Sequence, residues 1–429
     1  MNNWIMLGVK IVAGLLAMLL AGAVCAQSGM LYILNDSTSG NTIHGFSVDE
    51  STGSLTPLAG FPVATGGMGN ANTRSEELFF DRANARLFAI NTGSSTVSAF
   101  GVNVTTGALT ALPYSPIAMP GPSLPGTWAC LAVHPSGSPL VVGDKINFRA
   151  ASFSVTSSSA TLINTASTVN ENKLSDAFSC SFSRDGNYFY TGGNTTNFDK
   201  FSGFGVDAST GALSPLAGSP FFSGGYQMEA FVTDAQGRLF ATSNGVPSYT
   251  LAYTTSSGIP IRINLPNYLS GLTTGVHGVL HPAGFYMVAD RSANRIGVYA
   301  IAGSGTATTV APVAGSPFAS GGSYTDALAL SESGNWLFAA NGSSRNISAF
   351  SVNASSGALT SSVVQLGNTL GTTGQIVGMV YAPTGVGSTP DPFLFTRQTG
   401  VTSGATVVSN TVTLTGIGAA IPISIVGGE

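Results

Sequence analysis

The chain has 429 residues, 43% of them hydrophobic and only 8% charged, with a formal net charge of -4 and 55 glycines. Its 15 Lys and Arg are scattered without runs, which leaves no basic surface for a nucleic-acid backbone, and the apolar content argues against disorder. Gly, Ser, Thr and Asn in this abundance disfavour long helices and favour many short strands joined by tight turns.

In chain order, Lys10 precedes an apolar or small run from Ile11 to Ala26 that ends in Val24-Cys25-Ala26, a pattern suited to cleavage after Ala26. Residues 1–26 therefore read as a signal peptide rather than a retained anchor, which normally needs about 20 apolar residues. A lipoprotein signal centred on Cys25 fits less well because Val24 is large. The expectation is an exported chain, periplasmic, extracellular or at the cell surface, with no stable membrane span after signal removal. Cys130 and Cys180 then remain. An oxidising compartment would allow a disulfide, and two buried thiols on neighbouring strands is the slightly favoured alternative.

From residue 27 to 383 one unit recurs about every 50 residues. It comprises an apolar strand, a tight turn, a second strand, an alternating third strand, and a "TG-A/S-L" hairpin followed by a Pro/Gly-rich connection. The second strand occurs seven times: "LYILN" at Leu31, "LFAIN" at Leu87, "LVVGD" at Leu140, "FYTGG" at Phe189, "LFATS" at Leu239, "YMVAD" at Tyr286 and "LFAAN" at Leu337. Hairpin glycines Gly53, Gly107, Gly211 and Gly357 stand where positive φ is needed. The first unit lacks its first strand, and "QIVGMVYAP" (Gln375–Pro383) is a first strand with no second. Such a split predicts a ring closed by the C-terminal strand, which hides the sheet edges. The fold class is all-β, a seven-bladed β-propeller of four-stranded blades.

The units Gly334–Thr360 and Gly284–Ile301 resemble repeats of the seven-bladed lactonase-type propellers, the YVTN or 6-phosphogluconolactonase-like family. The resemblance spans about residues 29–383 and implies the fold; activity in that family ranges over lactone hydrolases, a cycloisomerase and exported surface proteins. Residues 384–392 read as a linker. Residues 393–429 resemble the start of a β-sandwich repeat of bacterial surface proteins, too short to form a core alone.

Family architecture implies a site around the central channel, where innermost strands begin. Glu76, Glu229 and Asp326 fall at equivalent positions there, with His277 one residue away, Arg74 two before Glu76, and Asp176 two before Phe178. Glu229 and His277 are the acid/base candidates for opening a lactone, and Arg74 would hold developing negative charge. Glu76 and Asp326, with Trp128 and Tyr226 as stacking platforms, are the substrate-binding candidates. Oxygen ligation of a cation by Glu76, Glu229 and Asp326 is a weaker expectation, and no cofactor or zinc motif is read. The alternative to all of these is strand capping and hydrogen bonding to the next blade. His134 and His281 are assigned to structural turns. Scarce Lys and Arg disfavour a phosphorylated substrate, and with it 6-phosphogluconolactonase activity. The primary reading is a binding or cell-surface interaction module, a monomer whose partner is a small molecule, carbohydrate or protein. The second is a lactone hydrolase or isomerase.

Overall fold

In the computed structural model the described residues are 29–70, 77–121, 126–168, 177–193, 199–243, 248–263, 268–269, 271–362, 374–384, 411–412 and 423–424. The proposed signal peptide, Arg74, Glu76, Asp176 and the linker beyond residue 384 lie outside them.

Seven antiparallel sheets, each with a four-strand path, form the seven blades. Blade 2 shows the pattern, running outward through Leu78–Asp81, Arg86–Asn91, Thr96–Val102 and Leu109–Ala111. The innermost strands of blades 3 to 7 are Trp128–Val133, Ser179–Phe182, Met228–Thr233, Gly275–His281 and Thr325–Leu330. Blade 1 is built from both ends of the chain. Its innermost strand, Gln375–Pro383, pairs with Gly29–Asp36 from Asp36↔Gln375 to Gly29↔Pro383, with one register shift at Leu34/Asn35. Ring closure thus follows the split read from the repeats.

Alternation along each strand sends side chains to both faces of a blade, so every blade packs on two neighbours. The core is accordingly a set of apolar clusters between adjacent blades rather than one central mass. Leu31 and Ile33 of blade 1, for example, pack with Phe338 and Ala340 of blade 7, all fully buried. The centre is left for a channel.

The recurrent "TG" hairpins are scaffold twice over. Gly53 has φ +70°, which the turn requires, and a Cβ there would overlap the Trp336 indole of blade 7. Gly107 (φ +75°) presses in the same way on Met30 and Leu58 of blade 1. The Pro/Gly-rich connections carry a short extra strand: Val63–Ala64 returns to pair with Thr42 and Ile43 of the third strand. Blades 2, 4, 5 and 6 repeat this return. Beyond the ring, Thr411–Val412 pairs with Ile423–Ser424 in a separate two-stranded sheet.

The favoured reading of Cys130 and Cys180 as free thiols is corrected. They are joined in a disulfide between the innermost strands of blades 3 and 4, with Cα atoms 6.0 Å apart. Blade geometry brings two residues 50 apart in sequence to facing positions, a separation at which spacing alone does not specify pairing.

Candidate active site in the central channel

Each innermost strand is hydrogen-bonded within its blade on one side only, leaving a free edge of N–H and C=O groups toward the axis. Unpaired backbone groups shielded from water are costly, and side chains of adjacent blades meet several of them. Thr233 Oγ1 donates to the Phe182 carbonyl at 2.6 Å, and the Phe231 N–H donates to Ser179 Oγ at 3.3 Å. Between blades 6 and 7, the Leu328 N–H donates to His277 Nδ1 at 3.1 Å.

These edges enclose a cavity of about 810 Å³, walled by all seven innermost strands. It reaches the lower face, meaning the face of the first-to-second-strand turns, at Asp81–Ala83, His134–Ser136 and Ser183–Arg184. The walls are dominated by apolar residues such as Leu131, Val133, Val279, Leu330 and Met379. Polar groups within them include Ser181, Thr233, Tyr381 and His277.

Among the sequence-predicted candidates that lie in the described residues, His277 lines this cavity. Its Nδ1 lone pair is occupied by the Leu328 amide, which places the ring proton on Nε2. Enclosure by the strands pushes its pKa down to about 4. Near neutral pH the imidazole is therefore an uncharged N–H donor, suited to polarising a carbonyl and poorly suited to acting as a base.

The lowered pKa has a definite linkage sign. The unfolded chain takes up a proton near the ordinary histidine value of about 6.5, whereas the folded chain resists until about pH 4, so this group's contribution to stability falls as pH drops through that window. His277→Asn keeps an acceptor for Leu328 and removes the titration. Denaturant unfolding at pH 7 and pH 4 should show wild type losing about 2–3 kcal/mol more than the variant. A difference independent of pH would refute the assignment.

Glu229 and Asp326 begin the innermost strands of blades 5 and 7 and are fully buried. Asp326 accepts a hydrogen bond from Arg291 Nε of blade 6 at 2.6 Å, an ion pair across the blade interface. Burial pushes its carboxyl up to about 6, against the opposing pull of Arg291. Neither acid lines the cavity with His277. Trp128 is buried in the cluster between blades 2 and 3, with the Arg149 guanidinium 5.3 Å from its ring. Tyr226 is exposed on the segment leading into blade 5. Among the described residues no cluster of three or more His, Cys, Asp or Glu is placed to hold a metal ion. No helix among them is long and apolar enough to cross a membrane.

The two His-Pro turns are built alike. His281 Nε2 lies 2.9 Å from the Gly334 carbonyl of blade 7, while its Nδ1 accepts the Ala283 N–H at 3.0 Å. His134 accepts from the Ser136 N–H at 3.1 Å in the same way.

Sequence reasoning missed a group at the lower mouth. The second residue of the first-to-second-strand turn is Arg82, Pro135, Arg184, Ala235, Pro282 and Glu332 in blades 2 to 7. Charge appears only in some copies, and that was the available signal. Arg82 of blade 2 and Glu332 of blade 7 meet as a two-pronged pair at 2.5 and 2.6 Å, passing over blade 1. Beside it, Tyr381 and Ser333 donate to the Glu50 carboxylate at 2.5 and 2.6 Å, and Trp336 Nε1 donates to the Glu50 carbonyl at 2.9 Å.

The family model "Lactonase, 7-bladed beta-propeller" matches residues 278–370. A periplasmic gluconolactonase of Pseudomonas aeruginosa superposes over 83% of this chain and 99% of its own, with TM-score 0.62 and 16% identity. The fold is that of the lactonase-like seven-bladed propellers. A Bacteroides fragilis protein provisionally named a 6-phosphogluconolactonase covers 84% of this chain and 99% of its own, with TM-score 0.66 and 15% identity. A Lactobacillus plantarum protein reaches TM-score 0.62 at 16% identity, over 83% of this chain and 99% of its own. No curated protein matches the chain in sequence. At such identities these likenesses carry the lactonase-like fold and leave the chemistry to the residues.

Proposed function

We propose that this protein is an exported, ligand-binding lactonase-like propeller that holds a small, unphosphorylated, largely apolar organic molecule in its central channel. The observation that carries the reading is the channel itself: about 810 Å³ with mainly apolar walls, free backbone edges and the uncharged His277 imidazole as a donor. This is the composition of a small-molecule site, apolar with a few oriented polar groups. The Cys130–Cys180 disulfide supports an oxidising compartment and hence export.

The neutral fluorophore N-phenyl-1-naphthylamine tests the site. It should bind the purified protein, and Val279→Trp, which fills the channel, should abolish binding while circular dichroism is unchanged. Binding unaffected by Val279→Trp would remove the channel as the site.

Lactone ring opening is the second reading, favoured by the match over residues 278–370 and by the likeness in fold to a periplasmic gluconolactonase. In it the His277 Nε2–H would polarise the lactone carbonyl, with Arg74 as the remaining candidate, since Glu229 does not line the cavity. Hydrolysis across a lactone panel should then fall in His277→Ala. Activity indifferent to that substitution would discard His277.

A further inference from the structure

We propose that the lower mouth of the channel binds a carboxylate carried on an apolar tail, with Arg82 as its anchor and Glu332 as its internal competitor. Arg82 lines the cavity and presents a planar fork, the geometry that matches a carboxylate in two parallel hydrogen bonds. Glu332 fills that fork from blade 7, so the protein already displays the contact a ligand would make. The Arg82 Nε–H is buried and has no hydrogen-bond partner among the described residues, a further donor beside the fork.

The mouth carries charges of both signs: Arg82 and Arg184 line it, while the Glu332 and Glu50 carboxylates stand on the side of blades 7 and 1. Asp81 is engaged by Arg86 at 2.7 Å. Immediately inward the walls turn apolar, with Leu131, Val133, Leu330 and Met379. A carboxylate head that takes the place of Glu332 meets the Arg82 fork at the rim while its tail is removed from water. Ring-opened acids of aliphatic lactones and simple fatty acids share this chemistry. The pair also spans the ring-closing blade, so exchanging Glu332 for a ligand carboxylate unties blade 7 from blade 2 at the mouth.

This inference rests on the channel as a binding site, and its test separates the two. N-phenyl-1-naphthylamine bound to the purified protein is displaced with decanoate or with 1-decanol at pH 7. Decanoate should compete at roughly tenfold lower concentration than decanol. Arg82→Gln should erase that preference, and Glu332→Gln should strengthen decanoate several-fold while leaving decanol unchanged. A structural role alone predicts that both substitutions lower the unfolding temperature alike and leave the decanoate/decanol ratio as in wild type. That result, or equal displacement by the two compounds in wild type, overturns the carboxylate site and spares the channel. Failure of the fluorophore to bind overturns the channel reading, and the carboxylate site with it. Tighter displacement by 5-hydroxydecanoate than by decanoate then marks a lactone-derived acid, and the reverse order a fatty acid.

Discussion

Deleting Gln375–Glu429 should abolish the folded ring, whereas deleting Pro390–Glu429 should leave its unfolding transition nearly unchanged. The segment Gln375–Pro383 supplies the innermost strand of blade 1 and pairs with Gly29–Asp36 along its length. Its side chains divide between two interfaces: Ile376 and Met379 pack between blades 7 and 1, and Val377 and Ala382 between blades 1 and 2. Ile376, Val377 and Met379 are at most 2% exposed, and each contributes about 1.5–3 kcal/mol by burial. That sum, before the lost strand pairing, is comparable to the whole stability of an ordinary domain, about 5–15 kcal/mol. The shorter deletion removes residues whose described strands pair only with each other. Denaturant unfolding followed by tryptophan fluorescence makes the comparison. Equal loss from both truncations would disprove closure as the source of stability.

The second large effect is expected from the disulfide. Cys130 and Cys180 lie 50 residues apart in sequence, and the chain-entropy account gives about 4 kcal/mol for closing a loop of that length. Replacing both cysteines by alanine should lower the unfolding free energy by up to that amount. Dithiothreitol should destabilise wild type and leave the double variant untouched. Thiol titration of the denatured, unreduced protein should find neither residue reactive. Two reactive thiols, or a reductant effect that persists in the double variant, would overturn the bridge.

Much of the fold was legible because the repeat is physical. Each unit must present two apolar faces, so strands such as "LFAIN" and "LFAAN" recur at equivalent places, and glycines such as Gly53 mark turns that demand positive φ. Even ring closure could be read, since a first strand missing at one end reappeared at the other. The site was much less legible. Counting from the turns aligned Glu229 with Asp326, and both do begin innermost strands. It said nothing about which way they face or what they meet. Asp326 pairs with Arg291 across a blade interface, and His277 spends a nitrogen on the Leu328 amide.

Sequence by itself determined the number of blades, the positions of their turns and where the ring closes. These depend on local backbone preference and on alternation between apolar and polar residues, which each repeat carries in full. Only the tertiary structure decided the partners: Cys130 with Cys180, Arg82 with Glu332, His277 with the edge of blade 7, and an apolar channel meeting the lower-face turns. Such contacts join residues from different repeats, up to 250 positions apart for Arg82 and Glu332. Their geometry is set by how seven twisted sheets close around an axis, which no single repeat encodes.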